Sequence, residues 1–273
     1  MLTLSLATLL LVFRQRTAQC IVRAIGIVIH ALQHVQDLLA PHTAADARLN
    51  AMYSAPSERV LGKVLQGRLD AHARHFVSLS PFLVIASSGA RYGRRVRALD
   101  CSPKGGVPGF VHVCEDGRVL AIPDVVGNNR LDTLRNLATG DNAVGLIFLV
   151  PGLCELLRVN GTAVACEDHE LLSALSTTMP DGSVRTPKLA IKVLVHQAYL
   201  HCGKAITRSR FWEEGARRAR ADFPSLASCV VDQLELNGIN GKLQPGPAVV
   251  DGRLDRALYE TLCDDALKPA ALY

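Results

Sequence analysis

Four short apolar stretches, residues 82–87 (FLVIAS), 96–101 (VRALDC), 110–115 (FVHVCE) and 119–122 (VLAI), follow one another with only Gly, Pro, Asp and polar turns between them. Segments of this length are too short for helices and read as strands joined by tight turns. Glu115-Asp116-Gly117-Arg118 is the clearest of these turns, because Gly supplies a positive φ between two apolar runs. Three more strands follow, at 143–149, 155–166 and 188–201, and short helices are expected at 128–138 and 168–176. At least six strands with helices only at the margins predict a mainly β chain, a closed or partly closed antiparallel β-barrel with flanking helices.

Outside this block the grain differs. Ser57-Glu58 after Pro56 predicts a helix running to about Phe76, with Val60, Leu61, Val64, Leu65 and Leu69 at helical spacing. After Trp212, a helix is expected over 217–236, entered through Pro224-Ser225, then a Gly/Pro-rich loop over 238–252 and a terminal helix over 254–262. The first 13 residues (MLTLSLATLLLVF) are apolar and followed by Arg14 and Arg16. They are too short to span a bilayer and lack a signal peptide's basic n-region. Three readings stay open: an extension or mistaken start, an interfacial anchor, or a targeting segment. The expected organisation is an N-terminal extension (1–50), one folded domain (51–236) and a C-terminal tail (237–273).

Composition excludes several classes. Aromatic residues are 5% of the chain, which leaves few stacking platforms for single-stranded nucleic acid. The formal charge of +5 is scattered, and the clusters at 91–97 and 208–220 read as solvated faces, so no nucleic-acid partner is expected. The eight cysteines contain no CxxC pair, which points to free thiols in a reducing compartment and a cytoplasmic location. No metal site is expected: His196 and His201 fall on opposite faces of one strand, and His72 and His75 have no third ligand. A P-loop, a Rossmann glycine motif and a GxSxG elbow are all missing.

What remains is a set of anion-favouring turns. Gly127-Asn128-Asn129-Arg130 opens the expected helix at 128–138, where unpaired first-turn N–H groups and the helix dipole favour an anion and Arg adds a planar fork. Ser102-Pro103-Lys104-Gly105-Gly106, placed directly after a strand, is a second polar corner. His201-Cys202-Gly203-Lys204, continuing to Arg208 and Arg210, is a third, cationic one. Each has an ordinary reading as a helix cap, a polar turn or a solvated basic helix.

In order, SPFLVIASS (80–88), LDCSPKGGVPGFV (99–111), LAIPDVVGNNRLDTLRNL (120–137), GLIFLVPG (145–152), ELLRVNG (155–161) and HCGKAITRSRFW (201–212) resemble the pyridoxamine 5′-phosphate oxidase-like flavoproteins, the FMN-binding split barrels with Greek-key-like topology. The likeness is greatest to a bacterial flavin-nucleotide-binding branch and spans roughly residues 52–236. It implies FMN as cofactor, cradled by Asp100, Ser102 and Lys104, with Ile122, Pro123 and Asp124 along its ring or ribityl chain. It implies the FMN phosphate on Asn128, Asn129 and Arg130, and Arg158 on a bordering strand. It also implies a homodimer with FMN at the interface, where Lys204 and Arg208 reach the other subunit's cofactor. The activity implied is that of an FMN-dependent oxidoreductase using a small-molecule substrate or electron donor, with no catalytic side chain assigned. A flavin carrier or sensor is the alternative, as is a split barrel holding a deazaflavin or, through His201, haem. Three departures bear on this. Gly106 stands where close relatives carry an acid. Leu131 stands where the oxidases proper carry a second basic residue, and their C-terminal substrate-phosphate motif is missing, so the vitamin B6 oxidase reaction itself is not expected.

Overall fold

The computed structural model describes residues 44–89, 98–125, 127–140, 142–178, 182–243, 247–250 and 253–266. Most of the expected N-terminal extension and the basic cluster at 91–97 lie outside them. The chain divides into two units, one up to Leu61 and one from Gly62. The described part of the first carries helix α1 (Ala44–Met52) and the start of α2 (Glu58–Gly62), with exposed side chains from Arg48 on.

The expected helix at 57–76 is two helices with a break between them. After α2, Leu65–Gln66 (β1) pairs with Ala198 and Gln197, and Gly67 turns the chain with a φ of 72°. Asp70 then caps a new helix, α3 (Ala71–Leu79), its Oδ1 accepting from the Ala73 N–H at 2.8 Å. A left-handed glycine followed by a helix-capping carboxylate outweighs the apolar spacing that suggested continuity.

The strands are β2 (Phe82–Gly89), β3 (Ala98–Gly105), β4 (His112–Cys114), β5 (Val119–Pro123), β6 (Ala143–Leu149) and β7 (Leu156–Cys166). Helix α4 (Asp132–Thr139) joins β5 to β6. Helix α5 (His169–Ala174) and the minor pair β8 (Thr177–Thr178) and β9 (Val184–Arg185) lead to β10 (Ala190–His201). The sheet order is β3-β2-β6-β7-β10-β5-β4, with β1 also on β10 and every pairing antiparallel. Hairpins β2–β3, β4–β5 and β6–β7 are thus interleaved by longer crossings, a Greek-key-like arrangement.

Alternation along these strands builds one core. Leu83, Ile85, Leu120, Ile122, Leu146, Phe148, Leu157, Val159, Ile191 and Val193 are almost completely buried, and Phe76 and Val77 of α3 and Leu137 of α4 close onto them. Strand β5 is buried on both faces, its Ala121 covered by Leu175, Leu171 and Leu172 around α5.

No ladder joins β3 to β4 or β5, yet the sheet curls far enough to bring its ends together. Lys104 Nζ of β3 lies 3.6 Å from Asp124 Oδ1, just beyond β5. The closure is sheared. Register carries Lys104 through Leu83, Phe148 and Leu157 to Leu200, while Asp124 donates its N–H to Leu189, eleven residues away on the same segment. A stagger of this kind is what a tilted barrel requires. The fold is therefore an antiparallel barrel split along one seam, with flanking helices.

Beyond β10, α6 (Lys204–Ser209) precedes irregular chain in which the expected helix at 217–236 is confined to α7 (Leu226–Leu236). Ser225 caps α7 by accepting from the Ser228 N–H, and Pro224 prevents its extension backward. The small hairpin β11 (Val249–Val250) and β12 (Arg253–Leu254) leads to α8 (Arg256–Ala266), which Arg256 ties to Asp232 and Ser228 of α7. No helix among the described residues is long and apolar enough to cross a membrane.

Candidate functional site

The seam is where polar side chains gather. Residues Ser102 to Gly106, expected as a turn after a strand, are largely inside β3, which runs through Gly105. Pro103 is tolerated because β3 is an edge strand. Its register puts Asp100, Ser102 and Lys104 opposite Ser87, Ile85 and Leu83, on the barrel's inner face, all half-buried. Asp100 Oδ2 accepts from Thr133 Oγ1 at 3.2 Å, and Lys104 pairs with Asp124.

The turn before α4 departs from expectation in detail. The helix begins at Asp132 rather than near Asn128, and Leu131 offers no side-chain cap. Asn128 Oδ1 instead accepts the Arg130 N–H at 3.0 Å, closing an Asx turn, and Asn129 holds a left-handed φ of 58° that asparagine tolerates well. Both asparagines thus shape the turn. The positive end of α4 is met by its own Asp132 carboxylate, which is 8% exposed and takes the Nε–H of Arg130, a guanidinium that is 74% exposed.

Asp132, Thr133 and Asn136 add to the residues expected from the sequence. They are buried on the same side of α4 as Leu137, and Asn136 Nδ2 donates to Ser87 Oγ at 3.0 Å. Their signal in the sequence is three polar residues at helical spacing on an otherwise core-facing stripe. Behind them the chain is packed tightly: a Cβ at Gly89 would lie 2.0 Å from Asn136 Oδ1, and one at Gly140 would lie 2.3 Å from the Ser88 carbonyl oxygen. The structure also gives Gly106 a reason, since a Cβ there would come within 2.8 Å of Phe110 Cβ.

Of the other expected residues, Ile122 is fully buried in the core and Pro123 is buried, so their side chains are already committed to packing. Arg158 faces away from the inner side and lies 5.2 Å from the Tyr199 ring centroid. Lys63 sits 5.9 Å from the same ring, and His201 packs its ring 6.3 Å from it. His196 marks a register shift in β10 and lies 3.3 Å from Thr162 Oγ1. No cluster of metal-ligating side chains occurs among the described residues.

Lys204 and Arg208 lie at the opposite end of β10 from the Asp124–Leu189 corner, on the order of 35 Å away along the strand. They line a separate open cleft of about 490 Å³ with Cys154, Glu155, Gly203 and Thr207. The structure thus assembles Asp100, Lys104, Asp124, Arg130 and the α4 start along the seam. Among the described residues no hydrogen bond or ion pair joins Arg158, Lys204 or Arg208 to them.

Residues 69–202 match the family model described as pyridoxamine 5′-phosphate oxidase. That stretch belongs to the pyridoxamine 5′-phosphate oxidase-like family of split-barrel proteins. Among solved structures it is similar to HupZ of Group A Streptococcus (13% identity, 48% of this chain and 93% of that one, TM-score 0.37). It is also similar to a Clostridium acetobutylicum protein related to general stress protein 26, of the pyridoxinephosphate oxidase family (12%, 48% and 86%, TM-score 0.33). A third likeness is to the FAD binding protein of Mycobacterium smegmatis (12%, 50% and 98%, TM-score 0.30). No curated protein matches the chain.

Proposed function

We propose that this chain binds FMN along the barrel seam and acts as an FMN-dependent oxidoreductase on a small-molecule substrate, as a cytoplasmic homodimer. The observation that carries the reading is the convergence at the seam of side chains from separate family-matching segments: Asp100, Ser102 and Lys104 of β3, Asp124 after β5, and Arg130 before α4.

The donor set suits a ligand charged at one end only. The local balance is two cations, Lys104 and Arg130, against three carboxylates, Asp100, Asp124 and Asp132. A phosphate belongs at the exposed Arg130 guanidinium, whose fork matches it. The half-buried carboxylates and Ser102 suit hydroxyl and ring N–H donors, such as a ribityl chain and a flavin ring carry. When bound, FMN supplies hydride and electron transfer; the protein supplies position and shielding. Thr133 orients Asp100, and Lys104 holds Asp124 in place.

Because Lys204 and Arg208 lie at the far end of β10, they enter this reading through the cofactor region of a second copy, and Arg158, on the outer face, enters the same way. The folded domain is taken as 51–236, with 1–50 as an extension and 237–273 as a tail.

A second reading, a flavin carrier or sensor without turnover, is favoured by one observation. Each seam carboxylate already has a partner, which singles out no general acid or base. Reduction of the FMN-loaded protein by a nicotinamide donor, followed by reoxidation under multiple-turnover conditions, separates the two. Sustained turnover supports the oxidoreductase; a single reduction without turnover supports the carrier.

A further inference from the structure

The outer face of the sheet offers donors where the seam offers acceptors. At the seam Asp100 and Asp124 present carboxylates, and the Lys104 ammonium is already taken by Asp124. On the outer face, register lines up Ile147 of β6, Arg158 of β7 and Tyr199 of β10 in one cross-strand row. The guanidinium carries five N–H donors and the phenol one O–H. Among the described residues neither group is engaged by an ion pair or a side-chain hydrogen bond.

Tyr199 is nevertheless fixed in place. Arg158 Cζ lies 5.2 Å and Lys63 Nζ 5.9 Å from its ring centroid. Lys63 is itself anchored, donating to the Leu200 carbonyl oxygen at 2.8 Å, and the His201 ring stands 6.3 Å away on the third side. Two cations drawn to one aromatic ring hold it while leaving its hydroxyl open.

The surroundings are those of a contact surface. Val164 and Leu194 on the same face are 50% and 49% exposed, and Ile147 is 37% exposed beside Arg158. Arg and Tyr set among exposed apolar side chains suit a second copy of the chain. The pyrimidine end of a flavin ring carries an N–H between two carbonyl oxygens. Seam carboxylates match the N–H; the Arg158–Tyr199 row matches the carbonyls.

We propose that Tyr199 contacts the cofactor of a second copy, its hydroxyl donating to a ring carbonyl oxygen beside the Arg158 guanidinium, with Lys63 as the residue that positions it. This role rests on the flavin and homodimer reading of the seam and adds to that site a residue supplied in trans.

The test uses mixed dimers. Two differently tagged copies, one Arg130→Ala and one Tyr199→Ala, are co-expressed, the mixed dimer is isolated, and it is titrated with FMN beside the parent and each variant alone. Each variant alone should bind FMN roughly tenfold or more weakly. In the mixed dimer both defects fall in one site, so the other site should keep the parent's affinity. Tyr199→Phe, which keeps the ring and its cations, should weaken binding about three- to tenfold, the scale of one neutral hydrogen bond; it replaces Tyr199→Ala in the mixed dimer if the alanine variant does not fold. Lys63→Gln should weaken FMN binding in the parent and add nothing in the Tyr199→Ala background, because it acts through that ring. Unchanged affinity in Tyr199→Ala, a mixed dimer without any site of parent affinity, or a parent that binds FMN as a monomer overturns the role in trans and leaves the seam site standing. If the parent takes up no FMN, the flavin reading itself falls, and the role of Tyr199 falls with it.

Discussion

Replacing Arg130 by alanine separates a ligand-binding role from a structural one, because the structure makes the two costs differ. The guanidinium is 74% exposed, and its defined partner is Asp132, 8% exposed at the start of α4. An ion pair with one member so exposed is worth at most about 1 kcal/mol to the fold. Asp132 left behind still lies at the positive end of a helix, which offsets roughly 0.3–1 kcal/mol of the loss. The Arg130→Ala protein should therefore unfold within about 1 kcal/mol of the parent in a denaturant titration. Its affinity for FMN should fall by roughly 1.5–3 kcal/mol, about 10- to 150-fold in Kd, the scale of a charge-assisted bond to phosphate. Quenching of flavin fluorescence on titration with apoprotein measures this directly. Arg130→Lys keeps the charge but loses the fork, and should fall between the two. Unchanged FMN affinity in Arg130→Ala would show that the phosphate has been placed at the wrong turn.

Three further outcomes follow from particular contacts. Asn136→Ala strands the Ser87 hydroxyl in a buried position and should cost about 1–3 kcal/mol in chemical denaturation, with Ser87→Ala in the same background adding little more. Gly161→Ala places a Cβ 2.1 Å from the Leu194 carbonyl oxygen between β7 and β10, and should lower stability by about 1–3 kcal/mol in a thermal melt; an unchanged melt contradicts the packing described. Burial raises the Cys114 thiol above its ordinary pKa, only partly opposed by Lys192 and reinforced by Glu115, so its thiolate is scarce near neutral pH and becomes available only as pH rises past that raised value. Alkylation followed by mass spectrometry at mildly alkaline pH should label the exposed Cys101 and Cys202 first, with Cys114 catching up only at higher pH.

The barrel was legible in the sequence because its strands carry their own punctuation. Strand β6 occupies the expected residues 143–149, and the Glu115-Asp116-Gly117 turn joins β4 to β5 with positive φ at all three residues. Expectation and structure part where periodicity and local chemistry compete. The run from Val60 to Leu69 has helical spacing, but Gly67 and the Asp70 cap break it. The SPKG stretch reads as a turn by composition, yet an edge strand accommodates its proline.

The site was legible one segment at a time, and its internal bonding was not. Nothing in residues 99–104 announces that Lys104 will meet Asp124, because that contact exists only once the sheet has curled and sheared. The same holds for Thr133 and Asp100, brought together from separate elements by the packing of α4 on β2 and β3. Asn128 and Asn129 read in the sequence as anion donors, and the backbone uses them as turn formers.

The most direct measurement is the visible absorption spectrum of the purified protein after incubation with FMN and removal of unbound flavin. A retained flavin spectrum, with about one FMN released per chain on heating and much less retained by Arg130→Ala, is the predicted result. Protein that remains colourless and takes up no FMN contradicts the flavin site at the seam.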